Sequence, residues 1–314
     1  MKKLKIVFMG TPDFAVATLK SLVENEYNVV GVITAPDRPA GRGQKLRASA
    51  VKTYADSVNL PILQPTNLKA ESFLEALKAL EADLQIIVAF RMLPKVVWAM
   101  PRLGTFNLHA SLLPEYRGAA PINWAVINGE TVTGNTTFFI DEKIDTGNVI
   151  LQQQIPISNT DNAGALHDRL MLRGAQLVLQ TVDLIEKGEV QTTAQPEKEP
   201  KTAYKLTKEN TKIDWSLDGK IIYNLVRGLS PYPSAWCYLN DKNKKQQVKI
   251  LNVSFEKELH NETVGALKIV DKKICIFVKD GCIYVNKMQL PGKKAMEVKD
   301  LLNGYSFDED AYLM

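Results

Sequence analysis

Short apolar runs alternate with amphipathic stretches along the first 190 residues of the chain. Runs such as 28–33 (NVVGVI) and 84–89 (LQIIVA) are rich in β-branched residues and are bounded by polar or turn-forming positions. Continuous apolar runs of this length are typical of strands buried on both faces, as in parallel sheets. The pattern therefore predicts an α/β domain, in which helices cover both faces of a Rossmann-like parallel sheet.

Helix signals lie between the predicted strands. Thr11 is placed to cap a helix that runs to about residue 23, and Pro12 suits the first helical position. A long 3.6-residue periodicity predicts a second helix over 163–187, which Gly188 ends. The predicted strands are 4–9, 28–33, 84–89, 105–109, 136–140 and 149–153.

The pattern changes after residue 189. Residues 190–204 are polar, contain prolines and lack hydrophobic periodicity, which is typical of a linker. Beyond them come one helical stretch at 219–227 and several short β-rich runs separated by turn residues, which predict a small β-barrel of the OB-like type. The predicted organisation is an α/β domain at 1–189, a linker at 190–204 and a barrel domain at 205–314.

Composition narrows the class of protein. A chain of 314 residues that is 45% hydrophobic and 24% charged is typical of a folded globular protein. Its three cysteines are sparse and form no CxxC pair, which indicates a reducing compartment and no disulfide framework. The apolar run near the N-terminus lasts only over 6–9, and no later stretch reaches the length of a membrane span. We therefore expect a cytoplasmic protein with no membrane partner.

The first candidate catalytic residues lie in the predicted strand 105–109. Asn107 and His109 are two positions apart in this strand, so their side chains point to the same side of the sheet. Asp145 lies in a turn sequence (IDTG) after a later strand, from which the sheet could return a carboxylate to the imidazole. Taken alone, His109 is also compatible with a structural histidine, and the IDTG sequence with a common turn.

Two segments together resemble the 10-formyltetrahydrofolate-dependent formyltransferase family. They are 106–122 (FNLHASLLPEYRGAAPI) and 144–147 (IDTG). The opening 10–15 (GTPDFA) and the loop 36–43 (PDRPAGRG) narrow the resemblance to the members that act on methionyl-tRNA. The resemblance runs along nearly the whole chain and is strongest before Gly147.

The resemblance implies that Asn107, His109 and Asp145 are the catalytic residues. Two loops would contact the folate. One is the loop 111–114, which follows the strand 105–109, and the other is the loop that follows the strand 84–89. In the family, an aromatic residue in this second loop is usually followed by glycine. In this chain Arg91 occupies the glycine position, so Arg91 is either a folate contact or a surface residue. The implied folate-binding residues are Ser111, Leu112, Leu113, Pro114, Phe90, Arg91, Met92 and Ile140.

A basic loop follows the second predicted strand. The segment 36–52 holds five basic residues and one acidic residue, whereas the whole chain has a net charge of only +4. Taken alone, such a loop is compatible with a solvated surface or with a phosphate-binding site. A dinucleotide-binding site would need the motif GxGxxG after the first strand, but Gly10 is followed there by Thr-Pro-Asp. By resemblance, the loop inserts at the end of the tRNA acceptor stem. The implied tRNA-binding residues are Arg38, Arg42, Lys45, Arg47, Lys244 and Lys245.

The implied reaction transfers a formyl group from 10-formyltetrahydrofolate, a co-substrate, to the α-amino group of initiator methionyl-tRNA. We expect no bound cofactor and a monomer, and no metal, because no histidine or cysteine pair has ligand spacing. Two alternatives remain open. One is a formyltransferase acting on glycinamide ribonucleotide or an amino sugar nucleotide, and the other is a catalytically inactive RNA-binding α/β protein.

Overall fold

The chain divides into two units. The computed structural model describes residues 3–40, 45–197 and 199–314. Residues 119–131 and 157–166 group with the C-terminal unit, so the units are not continuous in sequence. The continuous boundaries expected at 189 and 205 stay a prediction. The first unit comprises Met1–Gly118, Val132–Pro156 and His167–Thr202, and the second comprises Ala119–Thr131, Ile157–Leu166 and Ala203–Met314.

The first unit contains the strands predicted from the apolar runs and several short ones that were not predicted. In chain order they are β1 (Lys5–Gly10), β2 (Asn28–Ile33), β3 (Arg38–Ala40), β4 (Lys45–Arg47), β5 (Ile62–Leu63), β6 (Leu84–Val88), β7 (Thr105–His109), β8 (Arg117–Gly118), β9 (Val132–Phe139) and β10 (Val149–Pro156).

Seven of these strands form one sheet in the order β10-β9-β7-β6-β1-β2-β5. The pairs from β5 to β7 are parallel, and β9 and β10 are added antiparallel at one side. Every residue of β6 is buried, as expected for a central strand covered on both faces. The prediction of a Rossmann-like, mostly parallel sheet is confirmed.

The helices agree with the sequence signals except at the first one. Helix 163–187 has the predicted bounds, but Thr11 does not cap the first helix: Pro12 occupies the N-cap with an extended backbone, and no side chain caps this end. None of the described helices is long and apolar enough to cross a membrane. The helices are α1 (Asp13–Glu24), α2 (Ala50–Ser57), α3 (Glu71–Ala79), α4 (Lys95–Trp98), α5 (Pro121–Ile127), α6 (Ala163–Lys187), α7 (Gly219–Leu229) and α8 (Val298–Leu301).

The second unit is built around an antiparallel sheet that closes almost completely. Its strand order is β14-β15-β16-β13-β12-β18, and a bridge between Ala266 and Tyr312 brings its two edges together. The interior is apolar and includes Ile222 and Val226 of α7. The predicted barrel is therefore confirmed. The remaining strands of the chain are β11 (Thr202–Ala203), β12 (Ala235–Asp241), β13 (Lys244–Lys257), β14 (Leu267–Val270), β15 (Lys273–Val278), β16 (Gly281–Gln289), β17 (Met296–Glu297) and β18 (Tyr312–Leu313).

A disulfide joins Cys275 and Cys282, although the sequence predicted no disulfide framework. The two residues lie diagonally opposite each other on the adjacent strands β15 and β16, with Cα atoms 5.9 Å apart. This separation lies within the range that a disulfide spans. Cys237 is a buried free thiol, and burial raises its pKa to about 12.

Two leucines of the first unit provide a matched test of its packing. Leu22 on α1 is completely buried and Leu172 on α6 is 61% exposed. Leu22→Ala should lower the free energy of unfolding by about 2–5 kcal/mol, because it removes packed atoms and leaves a cavity, whereas Leu172→Ala should change it by only about 0.5 kcal/mol or less. Urea denaturation checks both values, and equal losses would contradict the burial assigned to α1.

Candidate active site

The candidate site lies at the carboxyl end of β7. Asn107 pairs with Ile87 of β6 on one side and with Phe138 of β9 on the other, and His109 lies two residues further along the same strand. In open α/β sheets, ligands bind outside the carboxyl ends of the parallel strands. The sheet thus places both side chains at the edge where a ligand is expected.

The His109 imidazole is almost completely buried and faces two groups of the protein. Its Nε2 atom lies 2.9 Å from the backbone oxygen of Tyr116. Its Nδ1 atom lies 3.8 Å from Oδ2 of Asp145, and the two side chains are 8% and 16% exposed. A separation of 3.8 Å is too long for a hydrogen bond, so the carboxylate lies beside the ring and would attract it once Nδ1 is protonated.

Asp145 is held in a constrained turn. Its φ angle is +56°, in the left-handed region that aspartate tolerates better than most residues. Oδ2 of Asp145 accepts a hydrogen bond from the backbone N–H of Gly118 at 2.9 Å. The carboxylate is therefore fixed between the Gly118 amide and the His109 ring. The structure brings two of the three residues expected to be catalytic within 3.8 Å of each other.

Asn107 completes the predicted set from the same strand. It is partly exposed, and none of the residues in 3–40, 45–197 and 199–314 makes a hydrogen bond to its side-chain amide. The amide can therefore donate to a group that enters the site. An amide in such a place is suited to stabilising an oxyanion.

The loop after β7 is rigidly attached to the sheet. Thr136 on β9 donates its hydroxyl to the Ser111 oxygen at 2.7 Å and accepts from the Leu113 amide at 3.1 Å. Gln152 on β10 donates to the Leu113 oxygen at 2.8 Å. The Ser111 hydroxyl donates to the Glu115 oxygen at 2.6 Å, which stabilises the turn. Ser111 and Pro114 are buried, so this loop is preformed beside the site.

The other residues expected to contact folate divide into two groups. Phe90 and Ile140 pack partly buried against one apolar cluster under the sheet edge, so together they form an apolar wall. Met92 is 67% exposed, which leaves its side chain free to cover a ligand. Folate binding by these residues stays a prediction.

Arg91 has a structural contact that the sequence did not indicate. Its guanidinium donates to the backbone oxygen of Thr66 at 2.9 Å and to that of Pro65. Desolvation, with a smaller contribution from Arg38, lowers the pKa of Arg91. Arg91 therefore ties the loop after β6 to the segment after β5, and its contact with folate stays a prediction.

The basic segment forms a hairpin with a fixed base. Strands β3 and β4 pair antiparallel, with Arg38 opposite Arg47. At the base of the hairpin, Lys52 Nζ and Gln64 Nε2 both donate to the Asp37 carboxylate at 2.7 Å. These bonds, that of Lys52 first, hold the pKa of Asp37 below its ordinary value.

Three arginines meet between this hairpin and the sheet edge. Arg38, Arg47 and Arg91 line a cavity of about 350 Å³ together with Thr11 and Phe90. The cavity is thus positively charged and has an aromatic wall. Arg42 lies outside the described residues, and Lys45 is described only through its backbone in β4.

The predicted lysines of the second unit lie at the start of β13, where Lys244 pairs with Asp241 and Lys245 with Asn240. Lys245 Nζ lies 4.4 Å from the centre of the Tyr238 ring. Two lysines that the sequence did not single out join it: Lys212 Nζ lies 5.6 Å from the Tyr238 ring and Lys208 Nζ 5.2 Å from that of Trp236. The lysine–aromatic face consists of Lys208, Lys212, Lys245, Trp236 and Tyr238.

Metal binding has no candidate in the part of the chain that the structure describes. No group of three or more histidine, cysteine, aspartate or glutamate residues there could hold an ion.

Comparisons with known proteins identify the family. The formyl transferase family matches residues 4–182, and the formyl transferase C-terminal domain matches residues 205–306. The chain belongs to the formyl transferase family. A methionyl-tRNA formyltransferase of Flavobacterium johnsoniae is 61% identical over 99% of both chains, and one of Flavobacterium psychrophilum is 58% identical over 99% of both.

A solved structure shows the same fold at low sequence identity. The crystal structure of HypX from Aquifex aeolicus in complex with tetrahydrofolic acid has a TM-score of 0.66 and is 19% identical to this formyl transferase. The match covers 96% of this chain and 47% of the HypX chain, so this chain spans about half the length of HypX.

Several groups that contact the candidate site were not predicted from the sequence. The Tyr116 oxygen and the Gly118 amide contact the candidate catalytic residues through the backbone, which side-chain type does not reveal. Gln195 donates to the Asp145 oxygen at 2.9 Å from 50 positions away. The sequence carries no signal for this contact, since Gln195 stands in a segment without hydrophobic pattern.

The fixed base of the hairpin can be tested by proteolysis. Asp37→Asn removes the charge that Lys52 contacts, so trypsin should cleave within 38–47 severalfold faster than in the wild type, with the rest of the chain intact. Asp56→Asn, on the exposed face of α2, is the matched control and should leave the rate unchanged. Equal cleavage rates in the two variants would refute the role assigned to Asp37.

Proposed function

We propose that this chain transfers the formyl group of 10-formyltetrahydrofolate to the α-amino group of methionine carried by initiator tRNA. The observation that carries the proposal is the pairing of His109 with Asp145 at the carboxyl edge of the sheet, beside Asn107. Support comes from full-length relatives at 58–61% identity that are named methionyl-tRNA formyltransferase. Since initiator tRNA is used in the cytoplasm, we propose that the enzyme acts there.

The reaction exchanges one carbon–nitrogen bond for another. The methionyl amine attacks the formyl carbon, and the carbonyl oxygen becomes an oxyanion in a tetrahedral intermediate. The bond from the carbon to N10 of the folate then breaks, N10 receives a proton, and the attacking amine loses one. The protein must therefore stabilise the oxyanion and move a proton.

Asn107 is suited to the first task. Its amide lies at the strand end without a partner among the described residues, so its N–H groups can donate to the developing oxyanion. Preorganised donors of this kind contribute more to the rate than to substrate binding, because negative charge on the oxygen develops only as the amine attacks.

His109 is suited to the second task. A carbonyl oxygen only accepts hydrogen bonds, so Nε2 of His109 carries the proton that it donates to Tyr116. In the neutral ring, Nδ1 then holds the lone pair and can take a proton. The imidazolium so formed faces the Asp145 carboxylate, which stabilises it while the proton passes from the amine toward N10.

The folate is proposed to bind between the loop after β7 and the apolar wall. The preformed loop Ser111–Pro114 would line one side of the folate, and Phe90 and Ile140 would pack against the pterin ring, with Met92 beside them. Because the folate leaves as tetrahydrofolate in each cycle, it is a co-substrate.

The tRNA is proposed to contact both units. Arg38 and Arg47 offer positive charge beside the site, and Arg42 and Lys45 belong to the same basic segment. The lysine–aromatic face of the second unit offers further cations, beside Lys244. Lysine contacts to phosphate are independent of base sequence and position the nucleic acid.

A direct assay tests the substrate assignment. The protein is incubated with 10-formyltetrahydrofolate labelled in the formyl group and with charged initiator tRNA, free methionine, glycinamide ribonucleotide or an amino sugar nucleotide. Label should enter methionyl-tRNA alone. Transfer to one of the other amines would assign this formyl transferase to a different acceptor, and no transfer to any of them would favour an inactive RNA-binding protein.

His109→Ala tests the chemistry. The substitution should lower kcat by about 10²–10⁴-fold, because it removes the proton carrier, and leave the affinity for tRNA unchanged. His167→Ala is the matched control, since His167 lies on α6 beside Asp168. Near wild-type turnover of His109→Ala would contradict the assigned role.

Lys212→Gln combined with Lys245→Gln tests the lysine–aromatic face. If each lysine contacts one phosphate, the slope of log K against log salt concentration for tRNA binding should fall in magnitude by about 2, with kcat at saturating tRNA unchanged. Lys299→Gln on α8, also exposed, removes a charge elsewhere in the same unit and serves as the control. An unchanged slope in the double variant would rule this face out as a tRNA contact.

A further inference from the structure

The segment 190–204, expected to be a linker, is bonded to the catalytic loops. The Thr193 and Val149 backbones exchange two hydrogen bonds, at 2.8 and 2.9 Å, so the segment extends the edge of β10. Further along, the Lys201 oxygen accepts from the Tyr116 amide at 2.6 Å. Since the Tyr116 oxygen in turn accepts from His109, the segment is attached at both ends to parts of the site.

Between these attachments, the Gln195 side chain makes four hydrogen bonds. Its Nε2 atom donates to the backbone oxygens of Asp145 at 2.9 Å and Gly147 at 2.8 Å. Its Oε1 atom accepts from Nε of Arg117 at 3.1 Å and from a terminal nitrogen of the same guanidinium at 2.6 Å. Both N–H groups and both lone pairs of the amide are thus used.

The partners fix the orientation of this amide. Backbone oxygens only accept and a guanidinium only donates, so exchanging the oxygen and nitrogen of Gln195 would break all four bonds. The amide therefore holds the Asp145 turn on one side and Arg117, which adjoins Gly118, on the other.

The turn that Gln195 holds has little freedom and unfavourable local geometry. Asp145 adopts a φ of +56°, and a Cβ atom at Gly147 would lie only 1.7 Å from the Phe139 oxygen. A non-glycine residue in the left-handed region costs roughly 1 kcal/mol and persists when its surroundings enforce it. The carbonyls of this turn converge on Gln195, which supplies that enforcement.

We propose that Gln195 is a positioning residue for formyl transfer, which holds the turn 145–147 so that the Asp145 carboxylate stays against the His109 imidazole. Gln195 acts through Asp145 and does not touch the substrate. The proposal rests on the proposed function, because it assigns Gln195 a part in that reaction.

Gln195→Glu is the sharpest variant. It keeps the size of the side chain and the acceptor for Arg117, but it turns a second oxygen toward the backbone oxygens of Asp145 and Gly147. The turn should shift, and kcat should fall about tenfold to a hundredfold, with KM for methionyl-tRNA and for the folate unchanged. Gln154→Glu, an exposed position on β10, introduces the same charge and should leave all three constants unchanged.

A double-mutant cycle distinguishes positioning from a general structural effect. Asp145→Asn keeps an acceptor for the Gly118 amide but removes the charge that faces His109. In the Asp145→Asn background, Gln195→Glu should cause no further loss of single-turnover rate, because the group through which Gln195 acts is already gone. A purely structural role would lower the rate by the same factor in both backgrounds.

The outcomes separate this inference from the proposed function. A wild-type protein that does not formylate methionyl-tRNA overturns the proposed function and this inference with it. With an active wild type, a kcat of Gln195→Glu near the wild-type value, a rise in KM alone, or additive losses in the cycle would each overturn the role of Gln195. Thermal unfolding is measured for every variant. If Gln195→Glu does not fold, Gln195→Met, which removes all four hydrogen bonds without adding charge, replaces it in the cycle with the same expectations.

Discussion

The approach of the Asp145 carboxylate to the His109 imidazole depends on the arrangement of the whole first unit. The two residues come from different strand ends, and two backbone groups, the Tyr116 oxygen and the Gly118 amide, must approach from a third loop. The separation of 3.8 Å between Nδ1 of His109 and Oδ2 of Asp145 is sensitive to small shifts of any of these loops. The sheet order, with β7 between β6 and β9, allows His109 and Asp145 to approach each other. The hydrogen bonds of Thr136 and Gln152 hold the loop that follows β7 in place.

The sequence predicted best those parts of the fold that depend on local pattern. The run 84–88 is mostly apolar because both faces of β6 are covered, and the sequence pattern reflects this burial. The spacing of Asn107 and His109 likewise follows from the geometry of a single strand. Helix 163–187 is long and strongly periodic, so its ends could be placed from Gly188 and the apolar positions.

Features that depend on distant partners were not predictable in the same way. The hairpin of β3 and β4 is short and polar, and its base depends on Gln64, which is 27 positions from Asp37. Thr11 was predicted to cap α1, but Pro12 has an extended backbone and occupies the N-cap, so the helix begins at Asp13. The cysteine pair depends on the register of β15 against β16, which no spacing rule supplies. Asp145 was grouped with His109 only through family resemblance, because nothing in the turn sequence indicates how the chain returns to the strand end.

The attachment of residues 193–202 to the first unit has a consequence for dividing this enzyme into halves. A fragment ending at residue 189 would contain every side chain that the family resemblance implies for the chemistry, and the match of the first formyl transferase domain ends at residue 182. It would nevertheless lack Gln195 and the Lys201 oxygen, which support the loops around His109 and Asp145. The smallest piece of the chain that retains the candidate active site intact therefore extends to about residue 202, beyond the point where the recognisable α/β pattern ends.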